Sequence, residues 1–281
     1  MALPYPAKGD RSVIRIAHIS DLHFGREVPE IVEALAAELH RERPDLIAVS
    51  GDLTQRARTG EFQAARAFLD RLPTPVLVVP GNHDIPALPL TQRFAAPWRR
   101  WQRWVSKELE PVIDGETFCA VGINSARRWG PYLDWSRGRI SLDQLERAEA
   151  IFAEKPKGLH VVVAHHPFLL SAAGADRRTI SRAHVALPRL RKADVDLVLG
   201  GHVHLAYSGV VAGVVVAQTG TTVSSRLKGE PNSFNRIRAD GDLIEIDNIV
   251  WQDAGFVRAN TASYRRRDGA WMAADAAQLT A

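Results

Sequence analysis

This sequence predicts an α/β fold of two packed β-sheets flanked by helices, on three observations. Short runs rich in Val, Ile and Leu alternate with helix-spaced segments in the N-terminal half; the C-terminal half turns to strand patterns alone; and polar side chains gather just after the carboxyl ends of the strands. Residues 13–19 are apolar and β-branched and end at Ser20-Asp21. Helical spacing then runs over 31–39, before Pro44. The unit recurs: a strand at 46–49 leads to Gly51-Asp52 and a helix at 61–69, and a strand at 76–79 opens onto Pro80-Gly81-Asn82. Past a Trp- and Arg-rich segment come a strand at 118–123, a helix at 142–152, and strands at 159–164 and 195–199. Strands alone follow at 208–211, 214–218, 234–238 and 243–250, the last pair joined by the hairpin signal Asp240-Gly241. The Ala-rich end, 270–281, is expected to fray or to form a short helix. The chain reads as a single domain over 1–281, with a cap or insert at about 86–115.

The 281 residues, 46% hydrophobic and 24% charged, have the composition of an ordinary globular protein rather than a disordered or fibrous one. A chain of this length buries roughly 70 to 75% of its unfolded surface, so disulfide staples are unnecessary. The single cysteine, Cys119, can form neither an internal disulfide nor a thiolate metal site, which leaves His, Asp, Glu, Asn and water as metal donors. No apolar run approaches the roughly 20 residues of a membrane span, and residues 1–12 lack an apolar secretion region, so the cytoplasm is the expected location. Net charge is +4, spread along the chain rather than concentrated in a basic arm, and no stable nucleic-acid complex is expected.

Five polar clusters follow strand ends, where an open α/β sheet offers a crevice for ligands. They are Asp21-Leu22-His23, Gly51-Asp52, Gly81-Asn82-His83-Asp84, Ala164-His165-His166-Pro167 and Gly200-Gly201-His202-Val203-His204. Singly each is weak, because Asp-x-His is common in loops and Gly-Asp is more often a turn. Together they supply carboxylates, an amide and imidazoles at equivalent positions, a donor set for Mn, Fe or Zn rather than an all-oxygen Mg site.

In order, the series DLH, GD, GNHD, HH and GHVH resembles the motif set of the calcineurin-like metallophosphoesterases. The stretches HISDLHFG, SGDLTQRA and VPGNHDIP look most like the bacterial branch of class III cyclic-nucleotide phosphodiesterases and glycerophosphodiesterases. Leu53 and Asp84 stand where protein Ser/Thr phosphatases usually carry Arg and Glu, which argues against that branch. The resemblance implies a four-layer α/β/β/α sandwich of two mixed β-sheets and two divalent ions per chain. It implies that Asp21, His23 and His204 bind one ion, that Asn82, His165 and His202 bind the other, and that Asp52 bridges them. It further implies in-line attack on a small phosphodiester by a hydroxide shared between the ions. A 3′,5′-cyclic nucleotide is the first candidate substrate and a glycerophosphodiester the second. His83 resembles the family's histidine that faces the leaving group, and Asp84 is expected either to fix its tautomer or to cap the loop.

Asn124, Arg127 and Arg128 follow a strand and are candidates for substrate contact, against the plainer reading of a solvated Arg pair. The loop from Gly220-Thr221-Thr222 to Arg226 follows GHVH and is a candidate lining segment. Trp98, Trp101 and Trp104 recur at a three-residue step with Arg between them. On a helix that stripe is a core face, a dimer contact making a homo-oligomer, or a cap able to touch a membrane surface weakly. The cap motivates an alternative, a nucleotide-lipid pyrophosphatase of the UDP-diacylglucosamine type. A nuclease is less favoured, since such relatives usually append a further domain. A non-catalytic interaction module would have lost ligand positions that are all filled here.

Overall fold

The computed structural model describes residues 13–73, 75–128, 137–155, 158–171 and 178–274. In chain order the strands are β1 (Ile14–Ile19), β2 (Leu46–Val49), β3 (Val76–Val78), β4 (Val112–Asp114), β5 (Phe118–Ile123), β6 (Leu159–Ala164), β7 (Leu197–Gly200), β8 (Tyr207–Val211), β9 (Val214–Gln218), β10 (Ser233–Asp240), β11 (Leu243–Gln252), β12 (Gly255–Arg267) and β13 (Ala270–Ala273). The helices are α1 (Pro29–Glu42), α2 (Thr59–Leu69), α3 (Leu90–Ala95), α4 (Arg99–Trp104), α5 (Leu142–Ala153) and α6 (Ala183–Lys192).

Two mixed sheets result, in the orders β13-β12-β11-β10-β1-β2-β3 and β4-β5-β6-β7-β9-β8. Parallel pairing joins β1 to β2 and β2 to β3 in one sheet, and β5, β6, β7 and β9 in the other. Side-chain alternation decides the layers. Ile14 and Ile16 of β1 and Leu46 and Ala48 of β2 face the second sheet, where they meet Phe118, Ala120, Val161 and Val163. The intervening Ala17, Ile19, Ile47 and Val49 face outward, onto Leu35 and Leu39 of α1 and Phe62 and Ala65 of α2. On the far side Val121, Val162 and Ala164 pack on Leu145 and Phe152 of α5 and on Leu187 and Leu190 of α6. Strands buried on both faces read as continuous apolar runs, and the product is the four-layer α/β/β/α sandwich expected from the sequence.

Three sequence readings are corrected or decided here. Residues 270–273 form β13, paired with β12, rather than a helix; Trp271 is buried there and donates its indole N–H to Asp196 at 3.0 Å. Residues 275–281 of that expectation lie outside the described residues. Segment 86–115 contains α3, α4 and β4, and α4 packs its stripe into the first helical layer. Trp101 is fully buried, edge-on to Phe62 with ring centroids 6.4 Å apart, and Trp98 and Trp104 are partly buried against the same core. For Trp101 the core reading therefore holds. Among the described residues no helix is long and apolar enough to cross a membrane.

Trp101→Ala is expected to destabilise the protein by about 3–5 kcal/mol, whereas Leu88→Ala, at a side chain that is 74% exposed, should stay within about 0.5 kcal/mol. Denaturant midpoints at constant m-value measure both.

Candidate metal centre

The strand ends of both sheets deliver their polar clusters to one place, and the backbone is bent sharply to do so. Asp21, His23, Asp52, His202 and His204 all have left-handed backbone angles, with φ of 53°, 46°, 52°, 74° and 61°. Such conformations are unfavourable for residues with a side chain and persist where the surroundings over-determine them, often at functional sites. Two glycines make room for the convergence. At Gly51, where φ is +95°, a Cβ would lie 2.7 Å from His165 Nδ1; at Gly81 it would lie 2.1 Å from Asp52 Oδ1.

Each carboxylate has one oxygen anchored and one turned to the histidines. Asp21 Oδ2 accepts the His202 N–H at 3.0 Å, and Asp52 Oδ1 accepts the His83 N–H at 2.8 Å. The free oxygen of Asp21 lies 3.6 Å from His23 Nε2 and 3.7 Å from His204 Nε2. That of Asp52 lies 3.3 Å from His165 Nε2 and 3.9 Å from His23 Nε2. Asn82 presents its amide oxygen 3.2 Å from His165 Nε2. His202 lies edge-on to His165 and tilted against His166, at centroid distances of 5.2 and 4.7 Å. The structure thus brings together Asp21, His23, Asp52, Asn82, His165, His202 and His204.

The far nitrogen of three of these imidazoles faces the protein frame. His165 Nδ1 points at the Ser50 carbonyl at 2.8 Å, His204 Nδ1 at the Thr221 hydroxyl at 2.6 Å, and His23 Nδ1 at the Thr54 carbonyl at 3.4 Å. With the Nδ1 protons so directed, the Nε2 lone pairs of these rings face carboxylate oxygens. Two lone pairs at this range repel unless a positive charge lies between them. Asp21 Oδ1 and His23 Nε2 are buried without a hydrogen-bond partner. Among the described residues the donor atoms fall into three groups able to hold an ion, Asp21 with His23 and His204, Asp21 with Asp52 and His165, and His165 with His166 and His202. The residues fit divalent cations.

Electrostatics agree. Burial alone would raise Asp52, but His165, His83 and His23 outweigh it and hold the carboxyl well below its ordinary value. Desolvation works against a charged His165 too, yet Asp52 pushes it up to about 9. Burial and the neighbouring His165 push His202 down to about 3.

The remaining site candidates divide. His83 lies at the edge of the centre, its ring 4.9 Å from His23, with Nδ1 2.8 Å from the Gln55 carbonyl. Asp84 does not orient it, because its carboxylate accepts the backbone N–H groups of Leu53, Thr54 and Gly81 and the Thr54 hydroxyl. That is the loop cap, and Gln55 takes the tautomer-fixing role expected of Asp84. Asn124 caps its own turn through the Ala126 N–H at 3.1 Å. Arg127 and Arg128 line a 430 Å³ cavity with Pro97, Trp98 and Ala126. Among the described residues no hydrogen bond or ion pair joins these three to the metal-competent group. His18 lies 2.9 Å from Ser50 Oγ as a framing residue, and His166 has Nδ1 2.8 Å from Ser125 Oγ while its ring sits in the group with His165 and His202. Arg226, on the loop singled out after GHVH, reaches the centre, with Nη1 2.8 Å from His83 Nε2.

Residues 14–206 match the family model described as calcineurin-like phosphoesterase. The glycerophosphodiester phosphodiesterase GpdQ of Enterobacter lignolyticus is 41% identical over 80 residues, which spans 25% of this chain and only 29% of that protein. The 3′,5′-cyclic adenosine monophosphate phosphodiesterase CpdA of Escherichia coli is 27% identical over 218 residues, 72% of this chain and 73% of that one. A dimetal phosphatase from Danio rerio superposes with a TM-score of 0.63 at 13% identity, covering 89% of this chain and 98% of that one, a likeness of fold.

Gly81→Ala should weaken metal binding by about 10- to 100-fold, because the new methyl displaces Asp52. Gly60→Ala, at a helical position with open space around it, should leave metal content unchanged and alter stability by no more than about 1 kcal/mol. Metal analysis after dialysis against graded chelator measures the difference.

Proposed function

The chain belongs to the calcineurin-like phosphoesterases, a family of metal-dependent phosphoric ester hydrolases, and we propose that it is a binuclear phosphodiesterase acting on a small phosphodiester. A 3′,5′-cyclic nucleotide is the first candidate and a glycerophosphodiester the second, in keeping with the activities for which its relatives are named. The observation that carries the reading is the convergence of Nε2 atoms on the unanchored oxygens of two buried aspartates.

In this reading Asp21, His23 and His204 hold one cation, Asn82, His165 and His202 the other, and Asp52 serves both. Bound cations supply the charge that acidifies a water near neutral pH and neutralises phosphoryl oxygens during in-line displacement. The chain's own groups prepare that chemistry. Ser50, Thr54 and Thr221 hold three imidazoles in the tautomer that leaves Nε2 free. Asn82 donates a neutral oxygen, which leaves more positive charge for an anionic substrate than a carboxylate would. Gln55 orients His83 through Nδ1, so Nε2 is the nitrogen left to take up a proton and pass it to a departing oxygen. A diester carries one charge and two substituents, so its site needs less positive charge than a site for a monoester dianion, and more room.

The nucleotide-lipid alternative drew on the Trp/Arg segment as a cap, and of its three indoles Trp101 is buried in the first helical layer and unavailable to a ligand.

Metal-reconstituted protein should hydrolyse bis(p-nitrophenyl) phosphate and at least one of the two substrate classes. Asp52→Ala should lose metal and turnover together. His83→Ala should keep its metal and lose about 10²- to 10⁴-fold in kcat, with the largest losses on diesters with poor alkyl leaving groups. Equal losses on p-nitrophenyl and alkyl diesters would contradict the role given to His83.

A further inference from the structure

We infer that Arg226 is a substrate-positioning residue of this centre, a fixed cation that takes a phosphoryl oxygen of the bound ester. The inference rests on the phosphodiesterase reading above and adds to it a residue from outside the five strand-end clusters.

The loop that carries Arg226 is built into the same framework as the metal-competent side chains. The Thr222 N–H donates to the Ser20 carbonyl at 3.1 Å, the Val28 N–H to the Val223 carbonyl at 2.8 Å, and the Ser225 N–H to the Arg26 carbonyl at 2.9 Å. Asn232 Nδ2 donates to the carbonyls of Thr221 and Ser224, at 3.3 and 2.9 Å. Thr221 ties the two ends together, since its hydroxyl contacts His204 Nδ1 at 2.6 Å and donates to the Arg226 carbonyl at 3.1 Å. The backbone of Arg226 is therefore held in register with His204.

Its side chain is half-buried, and the described contacts give it no carboxylate partner. Arg66, Arg71, Arg189 and Arg236, by contrast, are each paired with Asp or Glu. The guanidinium rests instead on His83, with Nη1 2.8 Å from Nε2. With Nδ1 of that ring donating to Gln55, Nε2 is the acceptor, so one of five guanidinium donors is used on the imidazole. An uncompensated guanidinium, one imidazole away from His23 and facing a centre that binds an anion, has the geometry and charge to hold two oxygens of a phosphate group. It also supplies positive charge from a different strand end than the phosphatase-type Arg, whose place is filled by the fully buried Leu53. An ester entering between Arg226 and His83 takes over the Nη1 donor and leaves Nε2 free to take up a proton from solvent, which it can then pass to the leaving oxygen.

The test uses metal-loaded full-length protein with Arg226→Ala, Arg226→Lys and, as a control on the same loop, Lys228→Ala at an exposed position. Calorimetric titration with inorganic phosphate and steady-state hydrolysis of bis(p-nitrophenyl) phosphate are measured alongside metal content. Arg226→Ala should keep the wild-type metal content and lose about 10- to 100-fold both in phosphate affinity and in kcat/KM. Arg226→Lys should recover part of each, and Lys228→Ala should change neither. Phosphate affinity and kcat/KM unchanged in Arg226→Ala would overturn the inference, as would loss of metal from that variant, which would make Arg226 a structural support. A wild-type protein that binds phosphate but hydrolyses no diester would overturn the proposed function while the phosphate comparison still decides the role of Arg226.

Discussion

Two carboxylates taken wholly out of water, Asp21 and Asp52, are the constraint from which the rest of this centre follows. An ionised carboxylate is tolerated in such a place only when positive charge or several donors face it. Here each has one oxygen anchored by a backbone N–H, from His202 or His83, and the other turned toward imidazole nitrogens. Because protein oxygens face Nδ1 of His23, His165 and His204, the nitrogens nearest the carboxylates are acceptors too. Only an added positive charge relieves that opposition. A proton on His165 does so in part, and divalent cations would do so in full.

The fold's contribution is to bring the ends of β1, β2, β3, β6 and β7 into one crevice between two sheets. Apolar alternation in those strands makes the inter-sheet core and both helical layers at once, so the crevice is set on a rigid double sheet rather than on loops alone. The strain of five left-handed residues is concentrated where the chain leaves that core. Gly51 and Gly81 sit where the approach is too close for any side chain, which ties the positions of His165 and Asp52 to the backbone itself.

Much of this was legible in the residues. The strands at 118–123, 159–164 and 214–218 coincide with β5, β6 and β9, because runs buried on both faces carry a plain signal. The seven side chains that meet in the crevice carried a signal because their motifs fall at equivalent strand ends. Other features were hidden for physical reasons. Four consecutive exposed residues run through β12, which weakens the alternation that marks a strand, and β13 reads as helix from its alanines until Trp271 is seen inserted against Asp196. The helix α6 contains Pro188, a breaker in sequence, although Ala183, Ala186, Leu187 and Leu190 do have helical spacing. Asp84 follows His83 in sequence, yet the turn directs its carboxylate to backbone N–H groups and gives His83 to Gln55. Arg226 bears no motif of its own, and only its loop's position after GHVH hinted at its place.

Anomalous diffraction from crystals of the manganese-loaded protein addresses the central claim most directly. The account requires two peaks per chain on either side of Asp52, one in contact with Asp21, His23 and His204 and the other with Asn82, His165 and His202. One peak only, or peaks remote from Asp52, would contradict it.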